Sequence, residues 1–187
     1  MAAKYLHYTY DQLNTFCMDA FQKFGFSESE ARIISDVLLL SDLYGIESHG
    51  MQRLVRYHKG IEKGMIDVHA KPEIVHETPV SAVIDAHDAM GQLVSHQAME
   101  LAIEKAKKTG MAIVSVRNSN HFGIAGYYAK MACDQGLVGM AMTNSEAIMV
   151  PTYARMAMIG SNSICAVARR YGVPESTIRS WMAEEAG

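Results

Sequence analysis

The residues with the most chemical promise form one short polar turn, Asn118-Ser119-Asn120-His121-Phe122-Gly123. A single imidazole there has three polar neighbours before it, and an aromatic wall and a flexible backbone after it. A group that titrates near neutrality can take a proton from a carbinol as hydride leaves and return it to a carbonyl in the reverse direction. Read alone, a loop histidine such as His121 is more often a surface or hydrogen-bonded structural residue. A second polar knot is Ser48-His49-Gly50 with Arg53 beyond it. Ser48 can cap a helix start. Arg53, one helical turn past His49, can clamp a carboxylate with its planar fork or sit solvated at the surface. Ser145, after an apolar run, can bond a ligand hydroxyl or phosphate or simply end a strand.

These residues need elements to hold them. Thr9 caps a first helix that runs through Phe24, with Leu13, Phe16, Cys17, Ala20 and Phe21 on one face. Ser27 and Glu30 form a capping box for a second helix reaching about Tyr44. A third ends near Lys63, and the three make a helical N-terminal unit. Glu73 to Glu77 and Ser81 to Asp85 read as strands flanked by Pro72 and Pro79. A long helix is expected over Gly91 to Thr109, a buried strand over Met111 to Val116, a helix over Ile124 to Gln135 and a buried strand over Leu137 to Met142. Strand, helix, strand over residues 111–142 predicts a right-handed βαβ unit with parallel strands. Ligands of such sheets sit beyond the strands' carboxyl ends, so the His121 loop and Thr143-Asn144-Ser145 are expected to be neighbours.

The totals narrow the class. The chain has 187 residues, 49% of them hydrophobic, and a formal charge of -3, enough for one sizeable core and without a basic field for nucleic acid. No apolar run reaches the roughly 18 residues of a membrane span, and the N-terminus has no apolar signal region. Three scattered cysteines, Cys17, Cys133 and Cys165, argue against a disulfide framework and for a reducing cytoplasm. The histidines lack the spacing of a zinc site, and Gly123 and Gly126 alone do not make a Gly-x-Gly-x-x-Gly dinucleotide motif.

Taken together, Ser48-His49-Gly50-x-x-Arg53, Arg117-Asn118-Ser119-Asn120-His121-Phe122-Gly123, Thr143-Asn144-Ser145 and Gly160-Ser161-Asn162 resemble the malate/L-lactate dehydrogenase family of the second, non-Rossmann type. The resemblance runs from about residue 7 to about Ala166. It implies an α/β fold: a helical N-terminal unit plus a partial sheet with a βαβ crossover, of non-Rossmann NAD(P)-binding type. It implies NAD- or NADP-dependent hydride transfer to or from a small 2-oxo or 2-hydroxy acid, of malate, lactate or ureidoglycolate type, in a homodimer. By motif position His121 corresponds to the acid/base histidine, Ser48, His49, Arg53 and Asn120 to substrate contacts, and Ser145 and His49 to cofactor contacts.

Family members are considerably longer, and their usual Asn-Pro reads Asn162-Ser163 here. Ala166 to Trp181 instead resembles the helix-turn-helix of transposase-type proteins, with Arg169, Arg170 and Arg179 able to touch phosphates. The expected division is therefore 1–70 helical, 71–166 a partial α/β domain, and 167–187 an unrelated tail. The whole reads as the front half of a dehydrogenase joined to a fragment of a DNA-binding motif, as a truncation or fusion would leave it. The alternatives are an inactive remnant and a DNA-binding product acting through the tail.

Overall fold

The structure, a computed structural model, describes residues 7–145, 153 and 155–156, and the backbone of 164–168. The Gly160 motif and the arginines of the tail lie outside the described residues. Helix α1 spans Tyr10–Lys23 and α2 Glu28–Leu43, each opened by a complete capping box, Thr9 with Gln12 and Ser27 with Glu30. Each box satisfies backbone donors that a helix start otherwise leaves without partners. Two single 3-10 turns follow, Glu47–His49 and Met51–Arg53, then α3, Leu54–Glu62. The helices close on a core of Cys17, Phe21, Phe26, Ile34, Leu38 and Tyr57. Met90, from the start of a later helix, is buried in the same core and ties the two halves together.

Strands β1 (Glu73–Glu77) and β2 (Ser81–Asp85) pair antiparallel, with the Thr78 and Ser81 hydroxyls 2.7 Å apart across the turn. Helix α4 (Gly91–Thr109) carries the chain over to β3 (Ile113–Arg117), which pairs parallel with β2. Ile84, Ala86, Val94 and Ala98 form the core beneath α4, with Val114 and Val116 of β3 packed against it. Helix α5 spans Ala125–Asp134, and β4 (Val138–Met142) pairs antiparallel with β5 (Ile164–Ala168) in a second sheet.

The architecture is α/β, with a helical unit and a partial sheet, and it holds a βαβ crossover. That crossover is β2-α4-β3 and not the expected 111–142 unit, because β3 and β4 belong to different sheets. Periodicity identified the strands, but the partner of β3 is chosen by the hydrophobic face of α4. The β3 strand is also not buried on both faces: Val114 and Val116 turn inward while Ile113 stays 63% exposed. Val167 and Ala168, expected to open a short helix, are strand residues paired with Gly139 and Val138. Among the described residues no helix is long and apolar enough to cross a membrane.

Candidate active site

The parallel pair ends at Asp85 and Arg117, which face each other in register. The loops leaving these two strand ends are stitched together: the Ala86 amide donates to the Arg117 carbonyl at 2.9 Å and the Asp88 amide to the Asn118 carbonyl at 2.9 Å. Asp85 is the hub beneath them, 5% exposed, accepting from Asn118 Nδ2 at 3.0 Å, Arg117 Nε at 2.9 Å and the His87 amide at 3.1 Å. The Asn118 side chain, then the His87 amide, hold its carboxyl below the usual carboxylate range. Asn118 itself sits at φ 51°, a left-handed conformation that asparagine tolerates better than most side chains.

The loop is then pressed into place. Asn120 Nδ2 donates to the carbonyls of Met65, Asp88 and Ala89 at 3.0, 2.9 and 3.2 Å. Its amide nitrogen is therefore committed to joining the helical unit to the sheet. Gly91, at the start of α4, lies so close that a Cβ there would stand 2.3 Å from the Asn120 carbonyl oxygen and 2.5 Å from that of His121. Gly123 has φ +82° and leaves room for Val37, whose Cγ1 would be 2.4 Å from a Cβ. The Tyr128 hydroxyl donates to the Phe122 carbonyl, and the two rings stack with centroids 5.2 Å apart.

This scaffold sets the His121 ring between two partners. Its Nδ1 is 2.8 Å from the Tyr57 hydroxyl and 3.3 Å from the Gly123 amide, while its face stacks on His49 with centroids 5.2 Å apart. A backbone N–H can only donate, so Nδ1 is an acceptor and the hydroxyl donates to it as well. The proton of the neutral ring then belongs on Nε2. Burial pushes the His121 pKa down to about 4, helped by the charges of His49, Arg53 and Arg56. Near neutrality the ring is uncharged.

His49 is lowered too, by burial and then by Arg53. The Ser48 hydroxyl lies 2.9 Å from His49 Nδ1, so it bonds a ring and does not cap a helix. Arg53 is not one helical turn beyond His49, because extended Gly50 breaks the two 3-10 turns apart. It returns to the site differently, with Nε donating to the Ser48 carbonyl. Asp42 anchors this segment by accepting from the Met51 amide at 2.8 Å.

Ser48, His49, Arg53 and His121 therefore gather at one place. Ser145 stands beyond the end of β4, in a sheet that β3 does not share, so no common sheet edge brings it beside His121. Sequence reasoning missed Tyr57 as a residue of the site. Its signal was the spacing Arg53-x-x-x-Tyr57, which puts both on one helical face.

Among the described residues no group of three or more His, Cys, Asp or Glu is arranged to hold a metal ion. The donor set fits the reacting end of a nicotinamide nucleotide. It offers uncharged imidazoles, a hydroxyl and a guanidinium around a half-buried histidine, which suits a carboxamide and a carboxylate brought face to face. A strand–Gly-rich-turn–helix cradle for a pyrophosphate is not found among the described residues.

The chain matches the family described as malate/L-lactate dehydrogenase over residues 8–177. It is 46% identical over 170 residues to a malate dehydrogenase of Pyrococcus abyssi, covering 91% of this chain and 47% of that protein. It is 43% identical over 147 residues to an L-sulfolactate dehydrogenase of Methanocaldococcus jannaschii, covering 79% of this chain and 43% of that protein. The solved malate dehydrogenase of Pyrococcus horikoshii superposes with a TM-score of 0.85 at 44% identity, covering 89% of this chain and 48% of that one. The chain thus spans about half the length of the curated relatives it matches. With the His121 site placed on the fold those relatives share, the chain belongs to the malate/L-lactate dehydrogenase family.

Proposed function

We propose that the chain carries the acid/base half of an NAD(P)-dependent dehydrogenase acting on a small 2-oxo or 2-hydroxy acid of malate, lactate or ureidoglycolate type. One observation carries the reading: a half-buried neutral imidazole whose Nδ1 is committed to Tyr57 and Gly123, set beside His49 and Arg53. His121 presents an Nε2–H to the oxygen that changes between carbonyl and carbinol. The resting Nε2–H hydrogen-bonds the carbonyl oxygen, and in reduction the ring, once protonated on both nitrogens, gives its Nε2 proton to the carbinol oxygen and returns to the neutral form. Arg53 takes the substrate carboxylate, and Ser48 orients His49 against it. Asn120 holds the loop that carries His121, and its amide nitrogen is not assigned to substrate. His49 and Ser145 are assigned to the nucleotide, which supplies or accepts the hydride when bound.

Family relatives named as malate and sulfolactate dehydrogenases support a carboxylated substrate. Buried free Cys17 and Cys133 suit a reducing compartment such as the cytoplasm. A homodimer is proposed with the activity, as is the division at residues 70 and 166.

The test is oxidation of NADH or NADPH by the full 187-residue chain in the presence of a panel of 2-oxo acids. The expected result is turnover with at least one acid, reduced by roughly 10²–10⁴-fold in His121→Ala, the range for loss of a general acid/base. Turnover unaffected by His121→Ala would remove the assigned role. A melt unmoved by either nucleotide would remove the cofactor assignment, since a nucleotide at a hundred times its Kd stabilises by roughly 2.7 kcal/mol.

A further inference from the structure

Helix α2 sets Asp36, Leu40 and Leu43 four and then three residues apart, so the three share one stripe of the helix. Tyr10, at the start of α1, and Tyr127 of α5 complete the lining of an open groove along that stripe. The groove encloses about 200 Å³, and none of its lining residues belongs to the His121 site. Leu43 is 66% exposed and Tyr10 44%, so the walls meet water, while Asp36 and Tyr127 are half-buried.

The lining holds a carboxylate and no basic side chain. Among the described residues the Asp36 carboxylate accepts no hydrogen bond and forms no ion pair. The two basic side chains that act on it, Arg32 and His96, are both engaged elsewhere. Arg32 Nη2 lies 3.1 Å from Glu28 Oε1, and His96 Nδ1 lies 3.4 Å from Glu100 Oε2. Burial raises the Asp36 carboxyl, and those two charges only partly offset it. A half-buried carboxylate in that state attracts a cation. The face of a phenol ring attracts one as well, and leucines beside them suit an aliphatic stem. Charge, ring faces and apolar wall thus call for the same ligand.

We propose that this groove binds a small organic cation, a guanidinium or ammonium group on a short aliphatic stem. Asp36 takes the charge, the rings of Tyr10 and Tyr127 flank it, and Leu40 and Leu43 take the stem. The groove's 200 Å³ is below the roughly 300–1,000 Å³ of sites for drug-sized ligands, so the ligand is small. The site is separate from the reaction assigned to His121 and does not rest on it.

The probe is n-butylguanidinium, titrated into the full chain at constant ionic strength and followed by amide ¹H–¹⁵N shifts. The control is n-butylurea, neutral and of nearly the same shape. The expected result is saturable shifts centred on Asp36, Leu40 and Tyr127, with the cation bound at least about tenfold more tightly than the urea. Asp36→Asn keeps the shape and removes the charge, so the two probes should then bind alike. Without ligand, Asp36→Asn should melt no lower than the unaltered chain, because the carboxylate it removes has no partner to lose. Tyr127→Leu keeps an apolar wall and should weaken the cation by about two- to fivefold. Equal binding of cation and urea, or shifts that do not saturate, overturns the proposal. So does a cation affinity unchanged in Asp36→Asn. An Asp36→Asn chain that melts lower or does not fold overturns it too, since the carboxylate would then already have a partner. Tighter binding of an arginine within a capped alanine peptide than of n-butylguanidinium would give the groove to a protein partner and overturn the small-ligand assignment. Absence of dehydrogenase activity would overturn the proposed function and leave these titrations as they are.

Discussion

The Tyr57 hydroxyl and Nδ1 of His121 stand 2.8 Å apart across 64 residues of sequence. One belongs to the helical unit and the other to the loop after β3, so this contact couples the two halves of the chain at the site itself. Tyr57→Phe keeps the ring and its packing and removes only the link. We expect a fold of unchanged melting behaviour within about 1 kcal/mol, the net worth of one hydrogen bond. Turnover should fall by roughly tenfold for a similar loss of orientation at the transition state. Steady-state kinetics beside a melt checks both, and a large loss of stability would mean that Tyr57 serves packing more than alignment.

The polar segment before α3 depends on a glycine for reasons of space. A Cβ on Gly50 would lie 1.8 Å from Asp42 Oδ1, while the Asp42 carboxylate holds the Met51 amide. Gly50→Ala must push this carboxylate aside, and overpacking of that kind costs about 1–3 kcal/mol. Because Ser48 and His49 hang on the same turn, substrate affinity should weaken together with stability. Urea unfolding with a substrate titration measures the pair, and an alanine variant as stable as the parent would contradict the crowding.

Loss of the Asp85 hub should be felt in the loop before it is felt in the core. Asp85→Ala leaves the Asn118 amide, the His87 N–H and Arg117 without their shared acceptor. His87, Arg117 and Asn118 are exposed and can turn to water, so the loss falls on the order of the loop. Hydrogen exchange should speed up at the Ala86 and Asp88 amides, which bridge to Arg117 and Asn118. Unchanged exchange at those two amides would show that strand pairing alone holds the loop.

Much of this was legible in sequence wherever the signal was local. Thr9 with Gln12 and Ser27 with Glu30 marked helix starts by chemistry that needs only four residues, and the ranges of β1, β2 and α4 followed from prolines, glycines and periodicity. The pairing of β2 with β3 was not legible, because alternation identifies a strand and says nothing of its neighbour. Gly50 was read as part of the polar knot Ser48-His49-Gly50, and Gly91 as the start of a helix. Their necessity comes from Asp42 and from the Asn120–His121 backbone, far away in sequence. Tyr57 was hidden for a similar reason: a polar atom in an apolar stretch acquires meaning only when its neighbour, here His121, is known. Asn120 was read as a substrate contact from its place in a motif, and its three carbonyl partners tie its nitrogen to the scaffold.

The depressed pKa of His121 makes stability depend on pH in a definite sense. In the folded chain the ring titrates at about 4, below its ordinary 6.5, because burial and the nearby charges disfavour the imidazolium. Between these values the unfolded chain binds more protons, so stability is full above about 6.5 and is lost as pH falls toward about 4. His121→Gln should flatten this part of the profile. Denaturant melts of both chains across that interval test it, and parallel profiles would count against a buried neutral ring.

The same electrostatics predict that an acid substrate brings a proton with it. His49, Arg53 and Arg56 all act to lower the His121 pKa. A carboxylate seated on Arg53 offsets that positive charge, so it raises the His121 pKa and favours proton uptake on binding. By linkage, any ligand that raises a pKa binds more tightly as pH falls toward that pKa. Affinity for a 2-oxo acid should therefore increase from pH 8 to pH 6, where a carboxylate meeting only a permanently charged arginine and a fixed neutral ring would bind equally well across that range. Titration calorimetry in two buffers of different ionisation enthalpy reads the proton directly. Arg53→Gln should weaken binding and lessen the uptake. Binding with no proton taken up at any pH would mean that the carboxylate sits away from His121, and with it the assignment of Arg53 as its clamp would fall.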